Sequence, residues 1–269
     1  PTVNFNRVHG LILGGGAEAT TLFAGGGRLY GGAFYGIASR SGNFQLGAEK
    51  RFFNRHQFTA GAQIHKLTDT NDFSLLSKDE DLLASFLLGN AFEDYFERKG
   101  YESWLKQQLT PSTAVKIRYA DDKYSSLFIK NDWSLFNPSM LKRGNPRIDD
   151  GRIRSVTASF EFDSRNIKRF DTRNFYTYPV PAGETQNGWQ GYFSMEYAGR
   201  GLEGDFDFTL YKFYITRYNR LSTRQTFDFR LTGALSDAFL PAQRLSYLGG
   251  IGTLRGYEFK QFMGDNMLL

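Results

Sequence analysis

The chain has no cysteine, which excludes a disulfide scaffold, a thiolate metal site and a cysteine nucleophile. Only 3 histidines (His9, His56, His65) are present, scattered too widely in sequence for a metal motif. No run approaches the roughly 18 to 20 uninterrupted apolar residues of a spanning helix, and the mean hydropathy is −0.44. A membrane β-barrel is untouched by that absence, because its hydrophobicity hides in alternation. The net charge of +5 is small for 269 residues and its acidic and basic residues are interspersed, so no basic stripe marks a nucleic-acid partner. At 41% hydrophobic and 16% aromatic, the chain is too apolar to be disordered.

What is there is alternation. Val156, Ala158, Phe160 and Phe162 oppose Thr157, Ser159, Glu161 and Asp163; Trp189, Phe193, Met195 and Tyr197 oppose Gln190, Ser194 and Glu196. Period-two patterning with aromatic and β-branched enrichment predicts strands. It places about eleven of them, at 5–14, 28–38, 43–53, 57–67, 101–109, 113–121, 126–136, 152–163, 188–198, 205–217 and 225–235. The apolar face shifts from Phe206, Phe208 and Leu210 to Phe213 and Ile215, which predicts a bulge in the tenth. One amphipathic helix is expected within 78–98, opened by Ser77-Lys78-Asp79-Glu80, continued by Phe92, Tyr95 and Phe96, and stopped by Gly100.

The fold class is therefore all-β. Strands of about ten residues match the 9 to 11 that cross a bilayer at a tilt. One face collects Glu49, Arg51, Lys116, Arg118, Lys130, Asp132, Glu161, Asp163, Glu196, Asp207, Asp228 and Arg230, while aromatics cluster near strand ends. That is the pattern of an antiparallel transmembrane barrel with a polar lumen. No 40- to 50-residue repeat supports a propeller.

The segment from Arg244 to Asp265 reads Arg-x3-Leu-Gly-Gly-x3-Leu-Arg-Gly-Tyr-x4-Phe-x-Gly-Asp. It closely resembles the signature loop of the BamA/TamA superfamily of outer-membrane barrels, the bacterial surface antigen family. The resemblance rests on Gly249, Gly250, Leu254, Arg255, Gly256, Tyr257, Gly264 and Asp265. It implies a long loop folded back into the lumen, with Arg255 held by an acidic residue two strands further on. Asp163, Arg165, Pro179 and Gly183 resemble the family's periplasmic Asp-x-Arg turn. Asn4-Phe5-Asn6-Arg7-Val8-His9-Gly10-Leu11 resembles the opening of its first barrel strand, with His9 where glutamate is usual. Arg7, Val8, Gly10 and Leu11 would then lie on one side of the seam between first and last strands.

The family barrel has about sixteen strands, with the loop after the eleventh, so the resemblance implies one truncated barrel domain over 1–269. It also implies a Gram-negative outer-membrane location. The partners would be outer-membrane lipid, unfolded outer-membrane protein or translocated polypeptide clients, and periplasmic accessory domains upstream. The expected role is insertion of β-barrel proteins or polypeptide translocation, without catalysis, cofactor, metal or nucleic acid. The alternative is a barrel that anchors or exports an N-terminal patatin-like lipase. Within the chain itself, Gly250-Ile251-Gly252 lacks the third glycine and the βαβ setting of a dinucleotide site. Gly14-Gly15-Gly16 and Gly25-Gly26-Gly27 read as a flexible extracellular loop, and Asp121-Asp122 and Asp149-Asp150 as turn residues.

Overall fold

A computed structural model describes residues 2–20, 26–52, 57–71, 78–137, 142–165, 187–222 and 225–269. Eleven successive antiparallel strands form one sheet: β1 (Thr2–Asn6), β2 (Gly10–Ala19), β3 (Gly27–Gly36), β4 (Ser41–Phe52), β5 (Phe58–Asp69), β6 (Phe96–Thr110), β7 (Thr113–Ser126), β8 (Gly151–Asp163), β9 (Gly188–Ala198), β10 (Phe208–Arg220) and β11 (Thr226–Ser236). A small hairpin, β12 (Ser246–Leu248) with β13 (Phe262–Gly264), follows, and β14 (Met267–Leu268) returns to pair with β11. The sheet is open among the described residues, with β1 and β14 at its edges.

The two faces differ as a bilayer demands. On the outer face of β6 lie Tyr101, Ser103, Leu105, Gln107 and Leu109; on β7, Thr113, Val115, Ile117 and Tyr119; on β8, Val156, Ala158, Phe160 and Phe162. Ile117 is 57% exposed and Phe229 54%, large apolar side chains left in the open along the whole wall. From Tyr101 to Leu109 the strand rises about 26 Å, or roughly 20 Å along the normal at a 40° tilt, close to the apolar band of an outer-membrane barrel. A lysine at the bilayer midplane costs about 2 to 4 kcal/mol, and this stretch of β6, β7 and β8 carries none on that face.

The inner face is polar in the middle and apolar at one end. Phe96, Tyr124, Ile153, Ala198, Phe208, Leu210, Ala234 and Leu240 form the buried core there. Because the strands alternate in direction, that end also gathers the described parts of the connections after β5 (78–95) and β7 (127–137 and 142–150), the connection 199–207 and the signature segment. The Asp163–Arg165 turn lies at the opposite end.

Several expectations change. The strand expected at 5–14 is a hairpin: β1 and β2 are joined by a turn at Arg7-Val8-His9, and Gly10 takes φ +64°. Segment 126–136 extends no strand beyond Ser126. Its backbone bonds instead to the turn and to the helical segment, Asn131 N–H donating to Arg7 O (3.1 Å) and Leu135 N–H to Phe86 O (2.9 Å). Trp133 packs on Phe5 and Phe86 there, so its aromatic alternation serves stacking rather than a pleat, and Lys130 and Asp132 leave the lumen face.

The helix is shorter than expected. It comprises α1 (Lys78–Leu83) and one π turn (Ala84–Leu88), and ends at Gly89 with φ +82°. Gly100 and Phe96 belong to β6, and Ser77 lies outside the described residues. No bulge occurs in β10, whose register is continuous with both neighbours. Its apolar residues change face because Phe208 and Leu210 enter the internal core while Phe213 and Ile215 face outward. Asp207 precedes β10 and pairs outside with Arg200. Gly14-Gly15-Gly16 lies within β2, not in a loop, and Asp121-Asp122 lies within β7, not in a turn.

Candidate functional site

Lumen side chains form a chain of paired charges. Arg28 bridges Glu18 (3.1 Å) and Glu49 (3.3 Å). The Tyr30 hydroxyl donates to Gln63 (2.7 Å), which donates to Glu102 (3.0 Å), and Glu102 also receives Arg118 (3.0 Å). Arg98 reaches Asp69 and Asp122, each at 3.1 Å, and His65 Nε2 lies 2.8 Å from Asp122 Oδ1. An unpaired charge here would be costly, and these side chains answer one another across the sheet.

The signature segment enters this lumen through Arg244. After Pro241 a 3-10 turn (Ala242–Arg244) carries the guanidinium inward. There it donates to both oxygens of Glu196 on β9 (3.0 and 3.1 Å) and to the Tyr124 hydroxyl (2.9 Å). Ser155 Oγ donates to the same carboxylate at 2.9 Å. Burial opposes the guanidinium's charge, but Glu196 outweighs it and raises Arg244 above the ordinary arginine range. Asp149 fixes the turn, its carboxylate accepting from Ala242 N–H (2.7 Å) and its carbonyl from Gln243 (3.0 Å). Beside this pair lies a cavity of about 280 Å³, lined among others by Arg98, Arg118, Tyr192 and Lys212.

The tip of the loop behaves differently. Gly249, Gly250 and Gly256 hold φ of +120°, +93° and +92°, conformations that favour glycine. Leu254 is half-buried, while Arg255, Gly256 and Tyr257 are exposed, the Tyr257 ring packing on Phe262 (5.3 Å). Arg255 makes no ion pair among the described residues, its expected acidic partner lying two strands further on, while Arg244 of the same segment faces inward. Gly264 pairs with Ser246, and Asp265 accepts from Leu240 N–H (2.7 Å), closing the base. The loop docks on segment 90–96 through Phe259 against Phe92 (5.5 Å) and Lys260 Nζ on Asp94 (2.5 Å).

Asp94 is also where the N-terminal turn is held. Arg7 is fully buried and donates to Asp94 (2.5 Å), Glu93 O (2.7 Å), Ala91 O and Arg143 O (both 3.0 Å). Arg143 pairs with the same Asp94 oxygen. Burial pushes Arg7 below the ordinary arginine range, with Asp94 opposing. Burial also lowers His9, whose ring contacts Ser39 (2.6 Å) and Thr68 (2.5 Å), and raises the Tyr95 hydroxyl, which donates to Asp81 and Glu93 (both 2.9 Å).

Of the expected seam residues, Arg7 and Val8 are thus buried turn residues, and Gly10 and Leu11 open β2; the edge strand itself is Thr2–Asn6. In the expected periplasmic turn, Arg165 chelates Asp163 (3.0 and 2.9 Å) and lies over the Tyr218 ring. Pro179 and Gly183 lie outside the described residues. No group of three or more metal-ligating side chains occurs among the described residues. Arg244–Glu196 and the Asp94 cluster escaped sequence reasoning. Arg244 heads the motif and Glu196 lies on a polar strand face, but nothing in their spacing joins them.

No family model and no curated protein matches the chain. Among solved structures, the chain is similar to BamA from Haemophilus ducreyi lacking POTRA domains 1–3, at 14% identity and a TM-score of 0.58, over 97% of this chain and 45% of that one. CdiB from Acinetobacter baumannii aligns at 11% identity and a TM-score of 0.46, over 98% of this chain and 43% of that one. The chain therefore spans less than half the length of either. With an antiparallel wall, an apolar outer face, a charged lumen and this overlap, the chain has the fold of the corresponding part of the BamA β-barrel.

Proposed function

We propose that the chain is the wall of an outer-membrane barrel that inserts β-barrel proteins or passes polypeptides across the membrane, without catalysis. The observation that carries this reading is the antiparallel wall, apolar outside and charged within, which overlaps BamA over 97% of this chain. β1 stands at one edge of that sheet and pairs with β2 from Asn6↔Gly10 to Thr2↔Gly14. An exposed strand edge is a template for an incoming strand, which gains backbone hydrogen bonds without sequence readout. Gly14, Gly15 and Gly16 face Phe34, Ala33 and Gly32 across the next pair, so few cross-strand side-chain contacts stiffen this corner. Arg255 and Tyr257, exposed at the loop tip, would engage the rest of the barrel wall. The partners are unfolded outer-membrane protein or translocated polypeptide, the surrounding lipid, and accessory periplasmic domains.

Photocrosslinking tests the reading in the full-length protein. A photoreactive residue at Val3, which is 65% exposed on β1, should capture nascent outer-membrane or secreted polypeptide at least tenfold more than one at Ile117 in mid-wall. Equal capture at both positions would contradict it.

A further inference from the structure

We propose that the outer face of β5–β8 carries a binding site for the phosphorylated headgroup of a membrane lipid. The inference rests on the membrane-barrel reading above. Lys66 on β5 pairs in register with Lys99 on β6, Lys99 with Lys123 on β7, and Lys123 with Arg152 on β8. Four cations distant in sequence thus stand in one row across four strands. They share the outer face with Ile64, Tyr101, Tyr119 and Val156, one position or two nearer the apolar band.

Like charges directly opposite one another destabilise a sheet, and here three successive pairs are alike. Neighbouring carboxylates answer only the ends of the row. Glu97 takes Lys66 (3.3 Å), and Asp121 takes both Arg152 (2.8 Å) and Arg154 (3.0 Å). The two central lysines, Lys99 and Lys123, are exposed and have no hydrogen bond or ion pair among the described residues. Paired Cα atoms in an antiparallel ladder lie about 4.5 to 5.5 Å apart, so both ammonium groups reach one phosphate.

Height selects the ligand. The Tyr101 and Tyr119 rings, 6.1 Å apart, mark the rim of the apolar band, and Lys99 lies two residues beyond Tyr101 along β6. That is headgroup level, where aromatic girdles end and basic side chains meet lipid phosphate. The row is at the same end of the sheet as the signature loop, so the leaflet concerned is the one on that side. A phosphate monoester on a glycolipid supplies two negative charges in a group small enough to sit between two lysines.

The test uses the full-length protein in phosphatidylcholine nanodiscs containing a small fraction of lipid A, with bound lipid counted by mass spectrometry after repurification. Wild type should retain lipid A over phosphatidylcholine. Lys99→Gln with Lys123→Gln should lower that retention roughly tenfold to thirtyfold, while Lys130→Gln, an exposed lysine outside the row, leaves it unchanged. Millimolar inorganic phosphate should not displace the lipid. Equal retention by the double variant, no enrichment in wild type, or complete displacement by free phosphate would each overturn the site. Failure to insert into any nanodisc would overturn the barrel reading, and the site with it, and would be recognised separately by loss of protease protection.

Discussion

Arg244→Ala should cost the folded barrel about 3 to 5 kcal/mol, the typical penalty for removing one partner of a buried ion pair. The guanidinium has two carboxylate contacts and a phenol contact, and both charged side chains are largely enclosed, at 13% and 11% exposure. Without it, the Glu196 carboxylate keeps only Ser155 as a described hydrogen-bond donor beside an apolar core. Glu196→Leu alone should cost about as much, by stranding the guanidinium. The double variant Arg244→Met with Glu196→Leu should recover much of the loss, since neither charge then remains to be desolvated. Thermal unfolding of the full-length protein, read by its heat-dependent gel mobility, measures all three. Additive losses would show that the two residues do not act as a pair.

Arg7→Ala should open the signature-loop end of the barrel by a comparable amount. Five groups lose a donor at once: three backbone carbonyls, Asp94 and Asn145. Each buried acceptor left without a partner costs about 1 to 3 kcal/mol, of which relaxation and water entry return a part. Arg7→Lys should rescue little, because an ammonium offers three donors from one point and cannot serve five acceptors on two chain segments. The loss should be local, since Arg7 ties together the N-terminal turn, segment 90–96 and segment 127–150. Limited proteolysis within 127–150 should accelerate by about 100-fold, equivalent to roughly 3 kcal/mol of easier opening. The wall strands should remain protected. Unchanged cleavage, or uniform loss of protection across the wall, would contradict this assignment.

How much of this was legible in the sequence follows from the range of each interaction. Strands such as 152–163 and 188–198 announce themselves by two-residue periodicity, and the structure gives Gly151–Asp163 and Gly188–Ala198. Periodicity reports burial on one side, not pairing, and so it misread 126–136, where Trp133 stacks on Phe5 and Phe86 without a ladder. It also turned the face change in β10 into a bulge, because the lumen is apolar at one end and polar in the middle. The loop motif pointed to Arg255 at its tip, with its expected partner beyond Leu269; the Arg244–Glu196 ion pair, eleven residues earlier, has no such motif to announce it. Contacts such as Lys260–Asp94 join residues far apart in the chain, and the Lys66–Lys99–Lys123–Arg152 row exists only once register is set. No local pattern encodes either.

A membrane barrel requires β5, β7 and β8 to be walls with lipid on one side and an aqueous lumen on the other. The chain has no cysteine, so single cysteines can carry a spin label at adjacent positions: Gln63 and Ile64, Lys116 and Ile117, Ser159 and Phe160. Power-saturation measurements on the full-length protein in vesicles would compare access to oxygen, enriched in lipid, with access to a water-soluble nickel chelate. Access should alternate, with Ile64, Ile117 and Phe160 reached by oxygen and Gln63, Lys116 and Ser159 by the chelate. Chelate access at all six positions would mean that both faces meet water, and the membrane barrel would have to be abandoned.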